Sequence, residues 1–281
     1  MTLAVLLAGC LDVSSREPAG THAGRPSDAP SSWYDAPSEP PQPPETAPAE
    51  PVRPDPTVGP TVPPTEAPTP LPTPTALPSP RLGDEGCVDD SFSLRGYQWQ
   101  GLMTWHFNSL FVPDQYDPDE VLNLIKRAFD SVTQARNDCG LPDLVDASHI
   151  YQGTGILEPC GRRDDGRSVI GFGEVPNRIR HALAATCPWA AGDILFEADI
   201  VINPDVPWAL SADECVPPEE LLETTLTHEI GHPFGLGHVS ERRHGDLTMS
   251  TRSNGPCSDE EVTLGLGDVL GLEELYPAFE P

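Results

Sequence analysis

Basic side chains are scarce: 16 Lys and Arg stand against 44 Asp and Glu, a formal net charge of −28. So acidic a chain repels phosphate backbones and anionic lipid headgroups, which excludes nucleic acid and bare membrane surfaces as partners. Long apolar runs are missing too. The one at residues 3–10 is too short to span a bilayer, and no other segment is long enough. No pair of cysteines has C-x-x-C spacing, which removes zinc ribbons and dithiol redox motifs. No complete calcium-loop pattern is present. Bulky aliphatics nearly vanish between Pro18 and Pro80, where 21 of the 35 prolines lie. That stretch cannot bury enough apolar surface to offset its ordering entropy.

What fills residues 11–80 instead is Pro, Ala, Ser, Thr and Glu. Runs such as Pro40-Pro41-Gln42-Pro43-Pro44 favour extended polyproline II, and at about 3.1 Å per residue the segment spans roughly 200 Å. It reads as a stalk; the alternative is a ligand for a proline-recognition domain. Ahead of it, Leu3-Ala4-Val5-Leu6-Leu7-Ala8-Gly9-Cys10 resembles a bacterial lipoprotein signal, in which the cysteine, here Cys10, is lipidated. No Lys or Arg precedes the run and the run is brief, as a start codon assigned too far downstream would explain. Six further cysteines follow the stalk: Cys87, Cys139, Cys160, Cys187, Cys215 and Cys257. An even set of this kind implies three disulfides and an extracytoplasmic compartment, with fifteen pairings open.

Residues 81–281 are long enough for one domain with a sizeable core, and they carry 35 acids against 13 bases. Leu102–Asn108 alternates and puts Met103, Trp105 and Phe107 on one side, as a half-buried strand does. After Pro118 a stripe at 3.6-residue spacing (Val121, Leu122, Leu124, Ile125, Ala128, Phe129, Val132, Ala135) predicts a long helix. Further strands are expected at Ser148–Gln152, Ser168–Val175 and Ile194–Asn203. A helix should begin after Pro217-Pro218 with Glu219 and Glu220 in its first turn, and a last one should run from Asp259 to Tyr276. The fold class is α+β.

The most specific signal is His228-Glu229-Ile230-Gly231-His232-Pro233-Phe234-Gly235-Leu236-Gly237-His238, an H-E-x-x-H-x-x-G-x-x-H pattern. Residues four apart on a helix share a face, so His228 and His232 point together with Glu229 beside them. Gly235 supplies a turn that brings in His238 from a third direction. Three imidazole ligands leave a zinc ion one open position for water, the arrangement of a catalytic site and not of a structural one. Glu229 is placed as general base and then as proton donor to the leaving amine.

This motif resembles the metzincin clan of zinc endopeptidases, whose further mark is a methionine-containing turn beneath the metal. Met249 in Leu247-Thr248-Met249-Ser250 corresponds to it. Thr251 stands where astacins and serralysins carry a tyrosine ligand, so the chain is most similar to the matrixins. Glu197–Asn203 followed by Trp208, and Leu266–Leu272 running on to Tyr276-Pro277, resemble matrixin segments as well; together the likeness covers about residues 98–278. It implies a twisted mixed sheet with a long helix, a zinc-binding helix and a C-terminal helix. It also implies one catalytic Zn2+, leaves room for structural Ca2+, and implies a monomer acting on extended polypeptides that pair with a sheet edge at Ala182, Leu183, Ala184, Ala185 and Thr186. Departures are Pro233, directly after a ligand, and Val239, where matrixins usually carry Ser. Cys139-Gly140-Leu141-Pro142-Asp143 resembles their cysteine switch, but it falls inside the catalytic domain and reads as a disulfide cysteine. The implied enzyme is a metalloendopeptidase on the bacterial cell surface, lipid-anchored or secreted. The competing reading is an inactive or binding-only zinc module on the same stalk.

Overall fold

The computed structural model describes residues 85–142, 147–161, 164–176, 179 and 181–277. Cys10, the proline-rich stretch 11–80 and Asp143 lie outside them.

After a single 3-10 turn at Glu85–Cys87 come β1 (Gln98–Trp99), β2 (Leu102–Asn108) and α1 (Pro118–Thr133). The alternation in β2 is obeyed: Met103, Trp105 and Phe107 are buried while Leu102 and Thr104 are exposed. Asp117 caps α1, its side chain accepting from the Asp119 N–H at 2.8 Å, and Pro118 sits at the first helical position, where no donor is needed. Val121, Leu124, Ile125, Ala128, Phe129 and Val132 then form its buried stripe.

Next come β3 (Ser148–Thr154), β4 (Ser168–Phe172), β5 (Ala184–Ala191) and β6 (Ile194–Ile202). β6 is the hub of the sheet. On one side it pairs in parallel with β1 near its start and with β4 near its end. On its other side it pairs along its length with β5, antiparallel. β4 continues in parallel to β2, and β2 to β3, so β3 and β5 are the edges. The result is a mixed, mostly parallel sheet. Its helix-facing side contributes Trp105, Phe107, Ile170, Phe172, Ala198, Ile200 and Ile202 to one core with α1 and the later helices.

The opposite side of β6 presents Glu197, Asp199 and Val201. Val201 closes a small second cluster with Val175, Ala182 and Ala185. The two carboxylates close the loop before β4. Asp199 accepts from the Cys160 and Val169 N–H groups at 2.7 and 2.8 Å, and Glu197 from those of Asp165, Gly166 and Arg167. Backbone donors satisfy both acids, so this loop is held by hydrogen bonds to carboxylates.

The remaining elements are β7 (Trp208–Ala209), β8 (Glu220–Leu221), α2 (Leu222–Gly231), α3 (Glu241–His244) and α4 (Leu266–Leu275). Several boundaries differ from the sequence expectation: β3 runs on to Thr154, β4 stops at Phe172 short of Val175, β6 ends at Ile202, α1 ends at Thr133 before Ala135, and the starts of the last two long helices move. Glu219 and Glu220 do not lie in the first turn of α2. Glu220 donates its N–H to Pro207 O and pairs, as β8, with Trp208 of β7, so only Glu223 remains in the first turn. The last helix starts at Leu266 and not at Asp259. The carbonyls of Ser258, Val262 and Thr263 are claimed by the hydroxyls of Thr224, Thr227 and Thr248, which keeps that stretch against α2 instead of coiling.

Disulfides join Cys87 to Cys139, Cys160 to Cys187 and Cys215 to Cys257. The last ties the chain just before α2 to the segment after Met249. Among the described residues no helix is long and apolar enough to cross a membrane.

Candidate metal centre

The site is built on α2, whose sequence places His228 and His232 one turn apart on the face turned from α1. The helix stops at Gly231, and Gly235 turns the chain at φ +95°. No side chain fits there: a Cβ would lie 2.7 Å from both Leu275 Cδ1 and the Tyr97 carbonyl. This turn carries His238 back over the helix. The nitrogens of His228, His232 and His238 then all fall within 4.8 Å of one another, and these three residues could hold a metal ion.

The imidazoles are oriented from behind. His228 Nδ1 lies 2.6 Å from Thr248 O, and His232 Nδ1 lies 2.9 Å from Leu236 O. A carbonyl only accepts, so each Nδ1 carries the proton and donates, and each Nε2 keeps its lone pair. His232 Nε2 is buried with no hydrogen-bond partner among the described residues. An orphaned, desolvated lone pair is costly unless something fills it, and a cation would. His228 Nε2 and His238 Nε2 stand 3.1 Å apart. Two nitrogens on a tetrahedral ion with bonds of ~2.0–2.1 Å are separated by about 3.3 Å. The donor set fits a divalent ion.

Electrostatics point the same way. Burial lowers the His228 pKa to about 4, and the nearby Arg95 guanidinium adds to this. Burial, then the His228 and Arg95 charges, lowers His238 to about 3, and burial holds His232 well below its ordinary value. All three are neutral near pH 7, the form that ligates metal. Arg95 comes from the strand-like segment before β1: its N–H donates to Gly235 O at 2.8 Å and its Nη2 lies 3.4 Å from His232 Nδ1.

Glu229 is fully buried, and burial raises its pKa to about 7 against the lowering effect of the Thr186 hydrogen bond. Its Oε2 accepts from the Thr186 hydroxyl at 2.6 Å, while Oε1 has no partner among the described residues. Met249 packs beneath α2, where a Cβ on Gly231 would come within 2.6 Å of its sulfur. The turn around it is held by Asp268 of α4, which accepts from the Thr248 and Met249 N–H groups at 2.8 and 3.2 Å. One chain of contacts therefore runs from Asp268 through Thr248 to His228.

Ala184, Ala185 and Thr186 open the edge strand β5, and Ala182 and Leu183 lead into it; all five are buried. His149 is not near the centre. It accepts from Trp105 Nε1 at 3.0 Å, faces Asp130 at 3.4 Å and stacks on Phe129. Cys139 is committed to its disulfide with Cys87. Among the described residues no second group of three or more His, Cys, Asp or Glu side chains converges as the three histidines do.

Sequence reasoning missed Arg95 and the supporting carbonyls of Thr248 and Leu236. Nothing local marks them: Arg95 is more than a hundred residues from the motif, and a backbone carbonyl has no residue signature. Asp268 was missed as well: a helix expected from Asp259 leaves it mid-helix, and only the observed start at Leu266 puts it in the first turn. No model of a known family matches the chain, and no curated protein matches it either.

Proposed function

We propose that this protein is a zinc-dependent endopeptidase of the metzincin clan, matrixin-like in its motif and element order. The observation that carries the reading is the pairing of three neutral, converging imidazoles with one buried, non-ligating carboxyl group. A structural site has no use for Glu229.

His228, His232 and His238 would hold the ion. When bound, zinc supplies Lewis acidity toward the scissile carbonyl and toward the attacking water. The chain's own residues do the rest. Thr248 O and Leu236 O hold two of the rings in the ligating tautomer. Glu229, whose carboxyl group burial pushes toward the protonated form, offers Oε1 to take a proton from water and return it to the leaving amine. Met249 supports the floor of the site.

Three disulfides point to an extracytoplasmic location. We place the enzyme on the bacterial surface, tethered through Cys10 and the proline-rich stalk or secreted, acting as a monomer on extended polypeptides. Cleavage of unfolded casein by the zinc-loaded protein tests the reading. Activity should vanish with a chelator and fall by at least about 10²-fold in Glu229→Gln. Equal silence from wild type and variant would leave only a displayed zinc module.

A further inference from the structure

Thr186 stands on β5, paired in register with Ile200, so its side chain points to the helix side of the sheet and is 1% exposed. There its hydroxyl oxygen lies 2.6 Å from Glu229 Oε2 and 2.9 Å from Glu229 O. The same hydroxyl thus reaches both the carboxyl group and the main chain of one residue. A carboxyl on a two-methylene stem has several rotamers; tying one oxygen to a neighbouring strand selects one of them. The oxygen so held is Oε2, and Oε1 is the one without a partner among the described residues. Most strand residues at a buried position would present an apolar branch here, and a methyl against the carboxyl oxygen would leave Oε2 unsatisfied as well.

We infer that Thr186 is the positioning residue for Glu229, its hydroxyl pinning Oε2 to β5 so that Oε1 alone is free to exchange protons with the reacting groups. This rests on the endopeptidase reading and deepens it. It assigns Thr186 a role separate from any backbone pairing with substrate. Because Thr186 acts through Glu229 and not on the ion, the hydroxyl matters to turnover and leaves zinc retention and substrate binding alone.

The test compares wild type with Thr186→Val, Thr186→Ser and Thr186→Ala, all zinc-loaded, on an unfolded protein substrate. Losing a hydrogen bond to a charged group at a general base should lower kcat by about 10- to 100-fold in the Val variant. KM and bound zinc should stay within about twofold, and Ser should restore most of kcat. Should Val not fold, Ala carries the comparison against Ser. An activity-independent readout accompanies it. The infrared carboxyl band that disappears in Glu229→Gln should shift in Thr186→Val and return in Thr186→Ser. Wild-type speed in Val or Ala, or a Ser variant as slow as Val, overturns the inference while leaving the enzyme intact. A silent wild type overturns the endopeptidase reading instead, and the infrared shift then still reports whether the tether exists.

Discussion

Buried acids divide into those with donors and those without, and the difference sets how each responds to pH. Asp268 accepts from three backbone N–H groups and anchors the turn beneath the three histidines. Glu261 is 1% exposed, yet it receives only a 3.4 Å contact from Asn254 N, and its Oε1 has no partner among the described residues. Burial first, and then the charges of Asp268, Glu260 and Asp246, push its pKa from the ordinary 4.5 to about 8. The folded state therefore binds this proton more tightly than the unfolded one. The penalty is absent below about pH 4.5, grows as pH rises toward 8, and is constant above. Glu261→Gln should match wild type in urea melts at pH 4.5 and exceed it by on the order of 1–3 kcal/mol at pH 8.5. Equal stabilities at both pH values would show that Glu261 titrates normally.

At the scale of elements, α2 is held in its first turn and again just ahead of it. Arg127 of α1 grips Glu223 in the first turn with two bonds, at 2.9 and 2.7 Å. Being half exposed, this pair is worth no more than about 1 kcal/mol. The stronger restraint is Cys215–Cys257, which closes a loop of sequence separation 42 around the helix, the histidine turn and Met249. Chain entropy assigns such a loop about 4 kcal/mol. The double variant Cys215→Ser with Cys257→Ser should lose stability of that order in chemical denaturation. It should also loosen zinc binding, because Cys257 N also donates to Glu219 O just ahead of α2. Zinc competition titrations would register the second effect.

For the whole molecule, three neutral imidazoles brought together beside one orphaned lone pair, that of His232 Nε2, should couple ion binding to folding stability. Zinc at about 100 times its Kd should add ~2.7 kcal/mol, which for a domain of this size raises Tm by roughly 5–10 °C. Calorimetry with and without a chelator measures this. His232→Ala should melt at the same temperature in both, and a chelator effect that survived in that variant would place the ion elsewhere. The strong negative charge of the chain acts at this scale too and should repel polyanions, while the positive field at the histidines comes from Arg95.

Much of the core and the convergence of the three histidines was legible in the sequence because it depends on short-range geometry. The i, i+4 spacing suffices to bring His228 beside His232. A glycine at 235 suffices for the positive-φ turn. Alternation in β2 and the 3.6-residue stripe of α1 foretell which side chains are buried. What only the tertiary structure decided depends on residues far apart in the chain. It chose one pairing among fifteen for the six cysteines. It started α2 two residues after Glu220 because that residue was taken into a strand pair. It shortened the last helix because three threonines bound the preceding carbonyls. It also set Thr186, Thr248 O, Leu236 O and Arg95 around the motif. Periodicity reports which face of an element is apolar; it holds no record of which distant backbone carbonyl or hydroxyl will meet that face once the sheet and helices have packed.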